Sequence, residues 1–368
     1  MRLGFDRRLI YHFDWAVFIL TFAIALVGLL SVASASYSEH RPFQTLIIRQ
    51  IIWTVAGAAA MFAVVMFDYR ALSSYSYPIY VLVMGLLLTV SIIGQATGGS
   101  RRWINLGLFT LEPSELAKLA LILVLVRYLR DDPPPGGLRL RHILVPAILL
   151  GLPAGLVLKQ PDLGTMLTML LIFATIIFAA GINLRTMGIL ALGALLAMPV
   201  AWHVLKPYQK ERVVAFLHPQ SDPLGAGYHV IQSEIAVGSG GSWGKGFLKG
   251  TQARLNFLPE QTTDFIFSVF AEEFGFAGSI LLLGLYAGLV GRGLAIATRA
   301  RDRFGALLAL GLTAMVFWQA AINIGMATGI LPVVGIPLPL VSYGGSSLIV
   351  LMAAMGLLIS INTRRYLF

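Results

Sequence analysis

"GFAGSILLLGLYAGLVGRGLAIA", residues 275–297, is long and apolar enough to cross a bilayer as one helix. A hydrocarbon core about 30 Å thick needs roughly 20 mostly apolar residues in helical form. Comparable runs occupy 15–36, 45–67, 75–95, 114–130, 142–158, 164–181, 184–204, 304–328 and 342–362, so the chain has about ten spans. Of the 368 residues, 57% are hydrophobic and only 12% charged, against about a quarter charged in an ordinary soluble domain. The pattern predicts an all-α polytopic membrane protein, with residues 1–368 forming one integral-membrane domain.

Charge sets the expected orientation. Arg2, Arg7 and Arg8 precede the first run, and Arg364 and Arg365 follow the last. Arg70, Arg139, Arg141, Arg185, Arg299, Arg301 and Arg303 fall in the even-numbered loops. The positive-inside rule therefore places both termini in the cytoplasm. The N-terminal stretch reads as a retained first helix, because its apolar run is too long for a signal peptide and more spans follow. Residues 205–263 form the one long, mostly polar loop, facing outside. A loop of that length is usually functional or disordered, and its apolar and aromatic residues predict that it folds against the membrane.

The net charge of +10 does not indicate nucleic-acid binding, since the basic residues sit in short loops and no basic stripe or known module appears. The chain has no cysteine, which excludes disulfides and thiolate chemistry. The histidines show no metal-ligand spacing, and there is no GxSxG nucleophile elbow.

Polar residues at membrane depth are functional candidates by default. In "FLPEQTTDFIFSVFAEEFGF" (257–276), Asp264 stands just ahead of an apolar run. It reads equally as a helix cap or as a carboxylate whose pKa is raised among aromatic rings, suited to general-base work. Glu115 and Lys118 in "LEPSELAKLAL" share one helix face at i, i+3 spacing, either as a structural ion pair or as a functional one. Asp162 in "KQPDLGT" (159–165), with Lys159 a turn away, lies where two spans are broken apart: a capped turn, or a group lining a cavity. The stretch "GSGGSWGKG" (238–246) is not a phosphate-binding P-loop, and reads either as a flexible loop or as an anion nest. Arg212, Lys245, Lys249 and Arg254 in the long loop, with Arg101 and Arg102 in another outer loop, could receive a phosphate-bearing ligand.

These stretches, together with "RRWINLG" (101–107) and "NIGMATGILPVVGIPLPLVSYGGSS" (323–347), resemble the SEDS family of bacterial cell-shape and division proteins, in the right order over nearly the whole chain. The form "ILPVVGIPLPLVSYGG" and the short termini are similar to the family's cell-elongation branch rather than its division branch. The resemblance implies a ten-helix GT-C-like fold in the cytoplasmic (inner) membrane and a peptidoglycan glycosyltransferase. Its substrates would be lipid II and the growing glycan strand. It implies that Asp264 is catalytic, that Glu115, Lys118 and Asp162 form a functional polar core, and that Arg212 is an important residue of the long loop. It also implies a class B penicillin-binding protein as partner, and suggests that a divalent cation, Mg or Mn, assists without any organic cofactor. Arg101, Arg102, Arg212, Lys245 and Lys249 are the candidates for the pyrophosphate. The sequence departs from the family pattern at Glu112, where glutamine is usual, and at Gln261 and Thr262, where a basic residue often stands. A transporter of lipid-linked precursors and a non-catalytic scaffold are the alternative readings.

Overall fold

The computed structural model describes residues 13–37, 45–93, 95–97, 100–105, 110–204, 207–221, 225–255, 257–258 and 260–365. Every predicted span is a helix: α1 (Trp15–Ala35), α2 (Leu46–Met66), α3 (Tyr69–Ile93), α4 (Pro113–Tyr128), α5 (Leu140–Lys159), α6 (Leu163–Ala179), α7 (Leu184–Val204), α11 (Ile266–Arg299), α12 (Arg303–Ala327) and α13 (Gly345–Arg364). Among the described residues, seven helices are long and apolar enough to cross a membrane. Helices α4 and α6 are shorter, at 16 and 17 residues. Helices α4 and α12 are buried nearly all round and form the centre of one continuous apolar core, as expected of helices that are apolar on every face.

Two features depart from the reading by hydropathy. A small antiparallel sheet, β1 (Gln95–Thr97), β2 (Ser100–Asn105) and β3 (Thr110–Leu111), connects α3 to α4. Its segments are too short to register as a hydropathy signal. The long loop carries helices of its own, α8 (Pro207–Leu217), α9 (Ala226–Ser239) and the single turn α10 (Thr251–Arg254). Helix α9 is fastened to α11 and α12 through Ser233, whose hydroxyl lies 2.6 Å from that of Ser268 and donates to the Ala327 carbonyl at 2.6 Å.

Two polar clasps hold α1 against α11. At one end Arg292 Nε donates to both oxygens of Asp14, at 3.1 and 3.0 Å, and Asn362 Nδ2 donates to Asp14 Oδ2 at 2.9 Å. The start of the first helix therefore meets the end of the last. At the other end Ser34 donates to Glu273. From Asp14 to Ser34 the helix rises about 30 Å at 1.5 Å per residue, which matches the hydrocarbon thickness of a bilayer.

Helix α11 is broken at Gly275, whose backbone (φ 66°, ψ −162°) is not helical. The break frees backbone groups that lipid cannot satisfy, and the glycine-rich stretch supplies their partners. Lys245 N and Gly246 N donate to the carbonyls of Glu272 and Glu273 at 3.0 and 2.9 Å. Gly241 O and Ser242 O accept from Phe276 N and Ala277 N at 2.8 and 3.0 Å. The stretch is thus neither a flexible loop nor an anion nest, because these amides are spent on closing the helix break. Glycine is required by distance: a Cβ on Gly244 would lie 2.1 Å from Glu273 O, and one on Gly275 would lie 2.2 Å from Gly244 N.

Gly244→Ala should therefore destabilise the protein by about 3 kcal/mol, the upper end of overpacking costs. Gly238→Ala, with nothing within 4 Å of its Cβ, should leave stability unchanged or slightly raised. Thermal unfolding of the detergent-purified variants distinguishes the two.

Candidate active site

Asp264 stands just ahead of α11, yet it does not cap it. The N-cap position is Phe265, with no side-chain cap bond, so the capping reading of Asp264 falls. Residues 260–264 form a turn in which Thr263 N and Phe265 N both donate to Glu260 O, at 3.1 and 3.3 Å. The partly buried carboxyl lies against the backbone of Gly335, where a Cβ would be 3.4 Å from Oδ2. Loss of water, reinforced by the charges of Glu260 and Asp162, pushes its pKa up to about 6, while Arg212 and Arg102 act in the opposite direction. Two cations predicted from different loops are therefore within electrostatic reach of one carboxylate.

Arg102 owes its position to β2. Its guanidinium spans the gap between α5 and α6, where Nε donates to Gln160 O at 3.1 Å and Nη2 donates to Pro161 O. Its Nη1 lies 3.7 Å from Asp162 Oδ2. Asp162 is the N-cap of α6, accepting from Thr165 N at 3.0 Å and from Thr165 Oγ1 at 2.8 Å. The capped-turn reading of Asp162 is thus correct, and the same carboxylate also contributes to the field at Asp264. Its cationic partner is Arg102, from another loop, rather than the neighbouring Lys159.

Glu115 and Lys118 form a buried ion pair at 2.7 Å, with side-chain exposures of 4% and 2%. Glu112, at the N-cap of α4, accepts from Ser114 Oγ at 3.0 Å, and its amide donates to Ser346 Oγ at 3.1 Å. Burial, then the charges of Glu115 and Asp162, pushes the Glu112 carboxyl up to about 7. The field of Asp162 thus reaches both Glu112 and Asp264. The residues of "EPSELAK", "KQPDLGT" and "TTDF" meet at one end of the bundle.

The remaining candidates separate. Arg212, on α8, donates through Nη1 to Val333 O at 3.4 Å and belongs to the Asp264 group. Lys245 is committed elsewhere: its ammonium lies 2.6 Å from Glu272 Oε1 and 2.9 Å from Thr251 Oγ1. Lys249 is exposed in the same stretch. The backbone of Arg101 is in β2, but its side chain lies outside the described residues. Glu272 and Glu273 are fully buried structural groups, and Glu272 also accepts from the amides of Thr251 and Gln252 in α10 at 2.8 and 3.2 Å.

His229, one of the histidines without metal-ligand spacing, stacks on Phe265 with ring centroids 6.4 Å apart. Burial and then the charge of Arg212 lower its pKa. No local signal in α9 points to it, because its neighbour Phe265 is distant in the chain. Among the described residues, no group of three or more His, Cys, Asp or Glu could hold a metal ion. An apolar cavity of about 220 Å³ between α2, α3, α4 and α13 is lined by residues from Asp68 and Tyr69 to Leu116 of α4.

Comparison with known proteins shows which proteins the chain resembles. The peptidoglycan glycosyltransferase MrdB of Escherichia coli K12 is 42% identical over 356 residues, covering 96% of this chain and 94% of that protein. The peptidoglycan glycosyltransferase RodA of Treponema pallidum is 34% identical, covering 97% of this chain and 99% of its own. A solved chain from a peptidoglycan synthase complex that coordinates polymerization and crosslinking superimposes with a TM-score of 0.81. It is 37% identical, over 96% of this chain and 98% of that one. The crystal structure of the rod shape determining protein RodA of Thermus thermophilus gives a TM-score of 0.72 at 30% identity, over 96% and 98%. The family model described as "Cell cycle protein" matches residues 12–367, and the chain belongs to this FtsW/RodA/SpoVE family.

Proposed function

We infer that this chain is a peptidoglycan glycosyltransferase that polymerises lipid II into glycan strands during cell-wall elongation. The observation that carries the reading is a partly buried carboxylate, Asp264, with a raised pKa and flanked by the charges of Arg102 and Arg212. The 4-hydroxyl of an acceptor GlcNAc attacks the anomeric carbon of MurNAc on the lipid-linked donor. A new C–O bond forms, the bond to undecaprenyl pyrophosphate breaks, and the configuration inverts from α to β-1,4. Asp264 accepts the hydroxyl proton, and a pKa near 6 leaves it ionised at neutral pH while keeping it a stronger base than an ordinary aspartate. Arg102 and Arg212 face the same carboxylate and stabilise the departing pyrophosphate. Arg101, Lys245 and Lys249 are further cations for the substrate, with Lys245 required first to leave Glu272.

Glu115, Lys118 and Asp162 serve as the polar core beneath this site. Asp162 links the two groups by holding Arg102. The basic loops support a site on the outer face of the cytoplasmic membrane, with both termini inside and residues 205–263 outside. A divalent cation, Mg or Mn, would add positive charge at the pyrophosphate, with Asp264 as the carboxylate of this chain that would help to hold it. The synthase complex among the structural relatives supports a class B penicillin-binding protein as partner. The names of the relatives favour glycosyl transfer over the transporter and scaffold readings.

Asp264→Asn should lower the rate of lipid II polymerisation by about 10²–10⁴-fold, the usual share of a general base, without loss of folding. A folded variant with near-normal product would overturn the assignment. The wild-type rate should rise with pH through about 6 and level off above it, because only the ionised carboxylate accepts a proton; a flat profile would contradict this.

Removing one charge of the Glu115–Lys118 pair strands the other in the core, at a cost of about 3–5 kcal/mol. Glu115→Gln and Lys118→Met should each lower the unfolding temperature sharply. The exchanged pair, Glu115→Lys with Lys118→Glu, should recover stability but not polymerisation. Recovery of both would reduce the pair to a structural brace.

A further inference from the structure

Four consecutive residues ahead of α11 are held from three segments of the chain. Gln261 Nε2 donates to Ala35 O at the end of α1, at 2.9 Å. The Thr262 carbonyl accepts from Tyr343 N at 2.8 Å. The Thr263 carbonyl accepts from Ser342 Oγ at 2.6 Å. The carbonyl of Asp264 itself accepts from Asn323 Nδ2 at 2.8 Å, and the same amide nitrogen donates to Ile336 O at 2.7 Å. Asn323 is 0% exposed and Ser342 is 6% exposed.

The placement of these bonds matters more than their number. A peptide unit is planar, so the Thr263 carbonyl reports the plane before the Asp264 Cα, and the Asp264 carbonyl reports the plane after it. Holding both planes fixes φ and ψ of Asp264, and with them the direction of its Cα–Cβ bond. Each plane is held by one side chain. Both side chains are themselves anchored: Asn323 sits near the end of α12 and also grips Ile336, while Ser342 Oγ accepts from Leu338 N at 2.8 Å. The 336–343 stretch and α12 thus form one frame around the aspartate. Water could satisfy the same carbonyls, but it would not set their direction.

We propose that Asn323 and Ser342 are positioning residues that aim the Asp264 carboxylate at the acceptor hydroxyl. The proposal rests on the reading of Asp264 as the base. Neither side chain touches the reacting atoms, and both act through the backbone of Asp264. A misplacement of about 1 Å can cost on the order of 100-fold in rate, so losing either bond should be felt in turnover rather than in substrate binding.

The test uses the purified full-length protein with lipid II. Ser342→Ala and Asn323→Ala should each lower kcat by about 10–100-fold with KM within about twofold, and Ser342→Thr, which keeps the hydroxyl, should restore most of the Ser342→Ala loss. The decisive comparison adds Ser342→Ala to Asp264→Asn. With no base left to aim, the residual rate should not fall further. An unchanged kcat in both alanine variants overturns the proposal. So does an equal fall in the Asp264→Asn background, or a loss of kcat that tracks a loss of thermal stability. If Asn323→Ala does not fold, Ser342→Ala with its threonine rescue decides alone. If Asp264→Asn polymerises normally, the base reading itself has failed and the positioning proposal falls with it.

Discussion

A backbone N–H or C=O that finds no partner in hydrocarbon costs several kcal/mol, and two departures from the helical path bracket the first turns of α11. One departure is the break in α11 at Gly275. The other is the turn at 260–264 that presents Asp264. Both are met by protein groups rather than by lipid or solvent: the glycine-rich 240–246 stretch closes the first, and Asn323, Ser342 and Tyr343 close the second. The short helical segment between the two departures, 266–274, is thereby fixed at both ends. The site depends on this satisfaction of irregular backbone, because a carboxylate on an unpinned turn would have no defined direction.

Charges follow the same logic. Buried ions persist where a partner stands beside them, and among the described residues four buried carboxylates have a cationic one, while Glu273 has the Ser34 hydroxyl. Asp14 has Arg292 and Asn362, Glu272 has Lys245, Glu115 has Lys118, and Asp162 has Arg102. Asp264 differs. Arg102 and Arg212 influence it electrostatically, but its dominant influence is loss of water. A carboxylate stabilised by a tight ion pair makes a poor base, whereas one held partly dry with cations nearby can accept a proton and leave those cations to a developing pyrophosphate.

The spans were legible because hydropathy is a local property of the chain. The run 304–328 corresponds to Arg303–Ala327, and 342–362 to Gly345–Arg364. The run 75–95 begins later than its helix, Tyr69–Ile93, because the first turns of α3 are polar enough to escape a hydropathy reading. The run 275–297 stops at the break, while the helix continues on the far side of Gly275. Asp264, Asp162, Glu115 and Lys118 stood out as polar residues beside apolar runs, so their candidacy was local too. His229, Asn323 and Ser342 did not stand out in this way. Their relevance comes from a neighbour far along the chain: Phe265, Asp264 and Thr263 respectively.

The sequence by itself determined the ten helices, the family resemblance and the carboxylate on which the chemistry is proposed to turn, since each is written in a contiguous stretch. Only the tertiary structure decided the use of the remaining polar groups. It set Arg102 and Arg212 toward Asp264, and gave Lys245 to Glu272. It turned the glycine-rich stretch into the patch over a broken helix. The physical reason is that hydrogen bonds and ion pairs join residues by proximity in space, and spacing along the chain cannot say which amide will meet which carbonyl across the bundle.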